Sequence, residues 1–518
     1  MKVLSVTSRC ATFEIENTGA YYAPEGFAVS VNGQPVFQEK RNVFSLFGLT
    51  PDSRYTVCAG EEAVEFSTEK EPYSLNVRDF RALGDGMQDD TSAFQAAIAC
   101  LPKGGVLYVP EGTYFLKPIF LKSDMTLYLD KGAVLLGHPD RNVYPTLPGI
   151  VDYAGGSQDN FGTWQGEEVT CFASLITAVH CKNITIAGEG TINCNAKAGD
   201  WYQNHRKMRI AWRPRGVFFN RCENVRMVGI KVCNTPSWNV HPYFCEKVEL
   251  YDLKLENEPS MPTTDGIDPD TCRDVKIVGV DIDVGDDCIA IKSGTIEQAK
   301  KYRLPCRDII IRNCLMRAGH GGVVLGSELS GGIENVHVSR CLFRGTDRGL
   351  RIKTRRGRGR YGTTGNITFR DIVMENVAVP FVVNMYYNMG DETGHTEYVW
   401  TTEKLPVDEL TPQIGSFCFE NMACTGVKYI AGAFYGLPEA PIEAITFKNV
   451  SFSYDPECEA GFPDMKEINE KVKNKGLYFQ FVEKVKLEDV AIDGCIGDKV
   501  ICEGVGSYEG SPDQSSVF

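Results

Sequence analysis

The feature that most constrains this chain is a short strand-like motif that recurs between residues 181 and 487. Each copy combines a Cys or Ile, a polar residue, an Asn, Asp or Lys, and then alternating β-branched or other apolar residues. Successive copies between residues 224 and 366 are 23 to 34 residues apart, a spacing typical of stacked coils with loops of variable length. Clear copies begin at Cys181, Cys222, Cys245, Cys272, Cys306, Ile333, Gly365, Ile442 and Phe481.

Within each copy, apolar and polar residues alternate with the period of a strand, and no helical apolar stripe spans the region. We therefore predict an all-β protein. Its main domain, residues 74–518, is expected to be a right-handed parallel β-helix in which each coil packs its inward side chains on its neighbours. An antiparallel sandwich is the alternative, and it is disfavoured because hairpin turn dipeptides do not recur between the copies.

Residues 1–70 have a different pattern, with short alternating runs separated by Gly, Pro and Asn. Here the segment Leu49-Thr50-Pro51-Asp52-Ser53-Arg54-Tyr55 resembles the tyrosine corner of fibronectin type III domains, in which the hydroxyl of the Tyr bonds nearby backbone. We predict a small fibronectin type III-like β-sandwich that serves as a spacer or packing module. A short helix over residues 92–100, after Asp89 and Asp90, is expected to cap the first coil.

Composition excludes several classes of partner. The net charge of −14 disfavours nucleic acid, and no apolar run is long enough to predict a membrane span. The first residues lack the apolar core of a signal peptide, so we expect a cytoplasmic protein, or a secreted one if a leader has been removed. The 19 cysteines are expected to pack as small apolar residues rather than as disulfides, and no metal or cofactor is predicted.

Four short polar segments lie about one repeat apart, and a coil stack would place them side by side at about 4.7–4.9 Å per coil. Arg351 and Lys353 have the same parity, so both are expected to point outward while Ile352 enters the core. Three carboxylates, an imidazole and two cations on one face suit acid/base hydrolysis of an anionic sugar chain. The basic run 348–360 would supply positive charge locally. The segments are Thr263-Thr264-Asp265, Asp286-Asp287, Gly319-His320-Gly321 and Arg351-Ile352-Lys353.

Together these four segments resemble the signature segments of glycoside hydrolase family 28, the polygalacturonases. The stretch 84–98 resembles the start of pectin-active β-helix enzymes, and the tandem of sandwich and β-helix is similar to bacterial exo-acting members. The resemblance implies inverting hydrolysis of α-1,4-galacturonosyl linkages in polygalacturonate or oligogalacturonides, by exo action. A galacturonate-containing saccharide is thus the expected partner.

The same resemblance implies a role for each candidate residue. Asp286 would be the general acid, and Asp265 and Asp287 would hold the attacking water as base. His320 would bond the acid and tune its proton affinity. The pair Arg351 and Lys353 would hold the carboxylate of a galacturonate, for which the fork of an Arg is well suited.

Further candidates lie around this set. Tyr386 occupies about the place of a family tyrosine that lines the sugar subsite, although its neighbour Tyr387 leaves the register open. Trp238 and His241 lie one coil before Asp265 and could form a sugar platform or a packing cluster. Thr263 stands where the family usually has Asn, which puts the subsite preference in doubt.

Other functions remain open at this point. An endo-polygalacturonase or another pectin side-chain hydrolase would use the same residues. A pectate lyase shares the β-helix but uses calcium and an Arg base, which the Asp286-Asp287 pair with His320 disfavours. A non-catalytic carbohydrate-binding or adhesin β-helix is the third class, and it would tolerate loss of Asp286.

Overall fold

The structure, a computed structural model, describes residues 1–363, 365–388 and 395–511. Its main body is a coil of parallel strands. The larger sheet, which we call the long wall, has 23 strands, and most coils contribute two strands to it. The strands of the long wall are Ser74–Asn76, Asp85–Asp89, Gly105–Val109, Gly112–Leu116, Met125–Leu129, Ala133–Gly137, Lys182–Gly188, Thr191–Asn193, Glu223–Val228, Lys231–Cys233, Glu246–Tyr251, Lys254–Glu256, Arg273–Val278, Asp281–Asp283, Cys306–Arg312, Leu315–Met316, Ile333–Ser339, Leu342–Arg344, Ile367–Glu375, Ser416–Val427, Ile442–Tyr454, Val482–Asp493 and Ser507–Glu509.

The remaining side of the coil, which we call the site wall, consists of a four-stranded and a seven-stranded parallel sheet. Single bridges at Ile267 and Asp270 connect the two sheets into one continuous surface. The strands of the site wall are Ile119–Phe120, Ile176–Val179, Val217–Asn220, Val240–Tyr243, Ile289–Ile291, Val323–Gly326, Arg348–Lys353, Val379–Asn384, Ile430–Tyr435, Lys475–Gln480 and Val500–Glu503.

Helices are few and short. The α-helix Thr91–Cys100 begins after Asp90 and buries Phe94, Ala97 and Ile98 in the main core, as expected for the predicted capping helix. None of the helices in the described ranges is long and apolar enough to span a membrane. The other helical elements are Ile296–Tyr302 and Glu397–Trp400, with 3-10 turns at Val77–Phe80, Arg141–Val143 and Ala196–Ala198. Two small antiparallel sheets of two strands each pair Thr146–Leu147 with Cys171–Phe172 and Ile150–Asp152 with Gln158–Asn160.

The coils stack in register, so that apolar residues at equivalent positions form continuous inward rows. One row runs through Val225, Val248, Val275, Ile309 and Val336, each the direct partner of the next in parallel pairing. All five are fully buried, because every coil covers the one before it. The predicted all-β class and right-handed parallel β-helix are therefore confirmed.

The recurring Asn, Asp or Lys of the motif marks a corner of the coil where the backbone turns left-handed. Asn and Asp tolerate this conformation better than other residues with a side chain, because their short polar groups can bond locally. The amide of Asn224 donates to Asn183 Oδ1 of the preceding coil at 2.8 Å, so the corners also bond along the stack. Positive φ values occur at Asn183, Asn224, Lys247, Asp274, Asp308 and Asn335.

The cysteines that open several copies point inward and stack on one another. The backbone N–H of Cys222 donates to Cys245 Sγ at 3.4 Å, and the N–H of Cys245 donates to Cys272 Sγ at 3.4 Å. All 19 cysteines are free thiols. The interpretation as buried packing groups is confirmed for the cysteines that open the copies, whereas Cys100 and Cys502 are exposed.

Residues 2–67 form two facing antiparallel sheets around a core that includes Phe13 and Phe44. The Tyr55 hydroxyl accepts a hydrogen bond from the Thr50 N–H at 2.9 Å, the contact that the sequence motif predicts. The kinship with fibronectin type III domains itself stays a prediction. One sheet consists of Lys2–Val6, Ala11–Glu14 and Val43–Leu46, and the other of Tyr22–Val31, Gln34–Arg41, Arg54–Ala59 and Glu62–Ser67.

This sandwich packs on the outward side of the long wall. Ala187, Val228, Tyr251 and Val278 occupy equivalent outward positions of successive strands. Val43 of the sandwich joins them in one apolar cluster. An outward row of this kind would be exposed without the sandwich, so the two parts form a common apolar interface.

Polar contacts extend this interface. The Glu14 carboxylate accepts two bonds from the Arg312 guanidinium, at 2.6 and 2.7 Å, and one from the Asn313 amide at 2.7 Å. Asn42 of the sandwich donates to Asn313 Oδ1 at 2.9 Å. Glu14 is only 5% exposed, so this charge depends on its partners.

We predict that Glu14→Ala lowers the free energy of unfolding by about 2–4 kcal/mol, because Arg312 and Asn313 lose a buried acceptor. The matched control is Glu65→Ala. The exposed pair of Glu65 with Arg54 lies within the sandwich, and its loss is expected to cost less than about 1 kcal/mol. Chemical denaturation measures both, and equal losses would contradict a structural role for the interface carboxylate.

Candidate active site

A cavity of about 510 Å³ opens on the site wall and collects the residues of all four polar segments. The Gly266 N–H donates to the Asp287 carbonyl at 3.0 Å, and the Cys288 N–H donates to the Gly321 carbonyl at 2.7 Å. The segments therefore lie on neighbouring coils, as their spacing predicted. The predicted residues that line the cavity are Asp265, Asp286, Asp287, His320, Arg351 and Lys353.

The two predicted cations come from one strand. Arg351 pairs with Val324 and Lys353 with Gly326 of the preceding coil. Both line the cavity, whereas Ile352 between them is part of the apolar core. The predicted parity of this strand is confirmed.

The rest of the basic run 348–360 contributes less than predicted. Arg348 also lines the cavity, where its guanidinium donates to the backbone carbonyls of Phe462 and Pro463. Arg356 instead lies inside the protein, paired with the equally buried Glu439 at 2.6 Å. The chain leaves the site wall after Lys353, so the later basic residues are directed by packing rather than by strand parity.

Asp287 is held by both cations. Lys353 Nζ lies 2.6 Å from Asp287 Oδ2, and Arg351 Nη1 lies 3.6 Å from Oδ1. Burial alone would raise the pKa of Asp287, but Lys353 and Arg351 outweigh it and lower this pKa to about 2. The Asp287 carboxylate is therefore an anion at any ordinary pH.

Asp286 lies in a different environment one residue earlier. Its carboxylate accepts hydrogen bonds from the backbone N–H groups of Thr263 at 3.2 Å and of Asp287 at 3.1 Å. Burial and the adjacent Asp287 anion raise the pKa of Asp286, which His320 partly offsets. The surroundings of these two consecutive carboxyls therefore favour the protonated form of Asp286 and the ionised form of Asp287.

Asp265 faces the pair from the preceding coil and is 5% exposed. Burial, followed by the charges of Asp268 and Asp286, raises the pKa of Asp265 well above its usual range. Lys292 is the cation that opposes this increase in pKa most strongly, and its Nζ lies 3.9 Å from Asp265 Oδ2. The predicted base therefore depends on a residue that the sequence analysis did not select.

His320 contacts Asp286 in a different way than predicted. Its Nδ1 bonds Asp347 Oδ2 at 2.8 Å, and its backbone N–H, rather than its ring, donates to the carbonyl of Asp286 at 3.0 Å. The bond to Asp347, with the nearby Asp286, raises the pKa of His320. The hydrogen bond of the ring therefore goes to Asp347 rather than to the Asp286 carboxylate, and it favours the protonated form of the imidazole.

Of the two residues expected to form a sugar platform or a packing cluster, only Trp238 lies at the cavity, and its contact with a sugar stays a prediction. Trp238 lines the cavity and stacks on Trp164 with the ring centroids 5.8 Å apart, and Trp164 stacks on Trp212 at 5.0 Å. His241 is fully buried behind Trp238, against the edge of the indole, and is not a lining residue. Burial with Arg215 lowers the pKa of His241 well below its usual range, so this His is a neutral packing group.

The tyrosine prediction was off by one residue. Tyr386 is fully buried in the apolar core and does not line the cavity, whereas Tyr387 does. The ring of Tyr387 lies against both cations, with Arg351 Cζ 5.5 Å and Lys353 Nζ 5.3 Å from its centroid. The strand ends at Asn384, so parity cannot be extended to these two tyrosines.

Thr263 replaces the usual Asn of the resemblance, and the structure gives it two contacts. Its N–H donates to Asp286, and its hydroxyl accepts a bond from Arg213 Nη2 at 2.6 Å. The position therefore still contacts the acid pair through its backbone. Its side chain is directed to the segment 194–216, which carries Arg213 and which, together with the segment 138–175, we call the two inserts.

Sequence reasoning missed one whole wall of the cavity. The segment 455–474, which we call the strap, connects two strands and has no motif of its own. Its Asp464 pairs with Arg351 Nη2 and accepts a bond from Asn384 Nδ2 at 3.0 Å. Met465 of the strap lines the cavity. Lys292 and Glu328 were missed as well. Lys292 directly follows the strand Ile289–Ile291 and could have been found by its outward parity.

The arrangement joins a carboxyl whose surroundings favour its proton, Asp286, to one that is held as an anion, Asp287, and to a third carboxyl, Asp265, on the preceding coil. Hydrolysis of a glycosidic bond needs this combination of proton donor and acceptor. The cations Arg351 and Lys353 stand directly beside it.

Comparison with known proteins agrees with this chemistry. The profile of "Glycosyl hydrolases family 28" matches residues 150–429. A "Probable polygalacturonase" of Vitis vinifera is 29% identical over 399 residues, which span 75% of this chain and 76% of that protein. An "Endo-polygalacturonase" of Pectobacterium carotovorum subsp. carotovorum is 26% identical over 57% of this chain and 72% of its own length.

Solved structures show the same architecture. An exopolygalacturonase from Thermotoga maritima is 25% identical with a TM-score of 0.63, over 80% of this chain and 92% of that one. The exopolygalacturonase of Yersinia enterocolitica has a TM-score of 0.67 over 97% of both chains at 20% identity, which shows a common fold. Because the family profile covers more than half of the sequence and the acid groups have the arrangement that glycoside hydrolysis needs, this chain is a glycosidase that belongs to glycosyl hydrolases family 28.

Proposed function

We propose that this protein hydrolyses α-1,4 linkages between galacturonate residues, with inversion and from a chain end. The observation that carries the proposal is the single cavity in which Asp265, Asp286 and Asp287 meet Arg351 and Lys353. The polygalacturonase names of the relatives support the substrate class.

In this mechanism Asp286 is the general acid. Burial and the adjacent Asp287 anion raise the pKa of Asp286, so this carboxyl retains its proton more readily than an ordinary one, and its half-buried side chain faces the cavity. As the bond between the anomeric carbon and the linking oxygen breaks, the Asp286 proton goes to that oxygen and the leaving sugar departs as an alcohol.

Asp265 and Asp287 hold the water between them. The water oxygen forms the new bond to the anomeric carbon, and one of its protons passes to a carboxylate. A direct attack by water, without a covalent sugar intermediate, inverts the anomeric configuration. Asp287 mainly orients the water, because a group with a pKa of about 2 accepts protons poorly.

Arg351 and Lys353 are proposed to hold the carboxylate of one galacturonate. Lys353 uses one of its three N–H donors on Asp287, and Arg351 uses Nη2 on Asp464, so each cation retains donors for a ligand. Asp464 of the strap fixes the direction of the Arg351 fork. The aromatic ring of Tyr387 covers both cations.

Exo action is supported by the two inserts, which supply an aromatic wall to the cavity. Trp164 of the first insert stacks on Trp212 of the second and on Trp238, and Gln165 and Arg206 also line this side. Such a wall leaves room for a chain end but hinders a chain that continues past it. The names of the relatives include both exo and endo enzymes, so product analysis decides between the two modes.

We predict that the protein releases short saturated galacturonates of constant length from the first minutes of reaction with oligogalacturonate. Asp286→Asn is expected to reduce this rate by about 10²–10⁴-fold, because the proton donor is lost. Anion-exchange chromatography follows the products, and proton NMR of the first product identifies the anomer.

The matched control for this prediction is Asp283→Asn, three residues earlier on the long wall, which should retain activity. A random mixture of long products would indicate endo action. Unsaturated products would indicate a lyase, and an unchanged rate for Asp286→Asn would remove this residue from the acid role.

A second prediction concerns recognition of charge. Arg351→Leu is made together with Asp464→Asn, so that Asp464 is not left as an unpaired buried charge, while Asp287 keeps its ion pair with Lys353. The value of kcat/KM for a galacturonate oligomer is expected to fall about 10–100-fold relative to Asp464→Asn alone, because a charge-assisted contact to the sugar carboxylate is lost.

The same comparison with a methyl-esterified oligomer provides the control substrate. Since its sugars carry no charge, the Arg351 substitution should change its kcat/KM less than about threefold. Equal losses on the charged and the neutral oligomer would contradict carboxylate recognition by Arg351.

A further inference from the structure

Lys292 is an ammonium group placed underneath the three reacting carboxylates. It follows the strand Ile289–Ile291, bridges to Asp270 of the preceding coil, and is only 5% exposed although it lines the cavity. Its Nζ also lies 4.9 Å from the centroid of the Trp238 ring. A buried Lys in this position loses much of its hydration and must be stabilised by nearby anions.

Three carboxylates surround this ammonium. The distances from Lys292 Nζ are 3.3 Å to Glu328 Oε2, 3.6 Å to Asp268 Oδ1 and 3.9 Å to Asp265 Oδ2. The anions outweigh burial and raise the pKa of Lys292, so the ammonium stays charged. Glu328 lies on the next coil, where its carbonyl accepts a bond from the Ser293 N–H at 2.7 Å, and this fixes the Lys292–Glu328 pair to the backbone.

Asp265 is the member of this group that also faces the reaction. Besides Lys292, three carboxylates influence the ionisation of Asp265: Asp268 on its own segment, and Asp286 and Asp287 on the next coil. The second cation near Asp265 is Arg213 on the second insert. The carboxylates predominate, and with burial they favour a protonated Asp265. A protonated Asp265 could not take a proton from water.

We propose that Lys292 is a positioning residue of the hydrolytic reaction, which counteracts the neighbouring carboxylates in favour of the ionised Asp265 and keeps this group in place to take up the proton of the attacking water. The inference rests on the proposed function, because it gives Asp265 the role of base. It extends that function by naming the cation on which the base depends.

The two candidate bases explain why such a cation is needed. Lys353 and Arg351 hold Asp287 so firmly ionised that it is a weak base. Asp265 is the stronger base because its surroundings favour a proton, but it functions only if it is ionised before water attacks. Lys292, at a longer distance from Asp265 than Lys353 is from Asp287, offsets the carboxylates without removing basicity.

The test compares Glu328→Gln, Lys292→Arg and the charge-balanced pair Lys292→Met/Glu328→Gln with the wild type. For each protein, kcat and KM on an oligogalacturonate are measured as a function of pH. The pKa of Asp265 is read without substrate by infrared difference spectroscopy, with Asp265→Asn variants to identify the signal. Circular dichroism and thermal unfolding establish that each variant is folded.

Activity needs the ionised base, so it rises with pH through the pKa of Asp265. Loss of the cation in the charge-balanced pair should shift this acidic limb to higher pH by about one pH unit or more. At pH values below the shifted limb, kcat should fall about tenfold while KM changes little. Glu328→Gln removes an anion and should shift the limb downward. Lys292→Arg, which retains the charge, should keep the limb near its wild-type position.

An acidic limb and an Asp265 signal that stay in place in the folded charge-balanced pair would overturn the proposal. If that pair does not fold, Glu328→Gln alone decides, and the absence of a downward shift overturns it. A wild type without hydrolytic activity would refute the proposed function instead. The infrared titration would then still show whether Lys292 controls the ionisation of Asp265.

Discussion

The in-register stacking of parallel strands is the constraint on which the rest of this molecule depends. Each coil lies one strand spacing from the next, so residues 20 to 35 positions apart in the sequence become neighbours. The row from Val225 to Val336 fixes this register through the core. The same register brings Gly266 to Asp287 and Cys288 to Gly321, and with them the reacting groups.

This construction concentrates charge in a poorly solvated cavity, which would be costly without counterions. The structure resolves the difficulty by pairing most charges across adjacent segments. Asp287 has Lys353, Arg351 has Asp464, and Glu328 has Lys292. Among the described residues, Asp265 and Asp286 have no comparably close cation, and their pKa values are raised, as are those of the buried Asp268 and Asp270 beside them. Incomplete compensation therefore includes the two groups that would exchange protons.

Strand parity explains what could be predicted from the sequence. Within a ladder, every second side chain has a fixed direction, so the alternation alone places Arg351 and Lys353 outward and Ile352 inward. The four segments could be placed together because the repeat gave the number of coils between them. Lys292 obeys the same rule on the strand after Asp287, so its outward direction was equally predictable.

Outside the ladders the same reasoning fails, for a physical reason. Tyr386 and Tyr387 follow the end of their strand at Asn384, where backbone pairing no longer determines which side chain faces the cavity. His241 lies in a strand of the site wall and points outward, but Trp238 and the inserts cover it. An outward side chain is therefore not always an exposed one. Asp464 meets Arg351 across 113 residues through a strap without periodicity. Such contacts are determined by tertiary packing alone.

Residues inside the strand ladders and residues outside them contribute to the site in different ways. Asp265, Asp286 and Asp287 lie directly before strand or bridge residues of the site wall, so any insertion there would break the stacking that supports them. The two inserts and the strap lie outside the ladders of the coil and can change length without disturbing the core. A longer or shorter cavity can therefore be accommodated in these segments, because the carboxylates remain in register on the site wall.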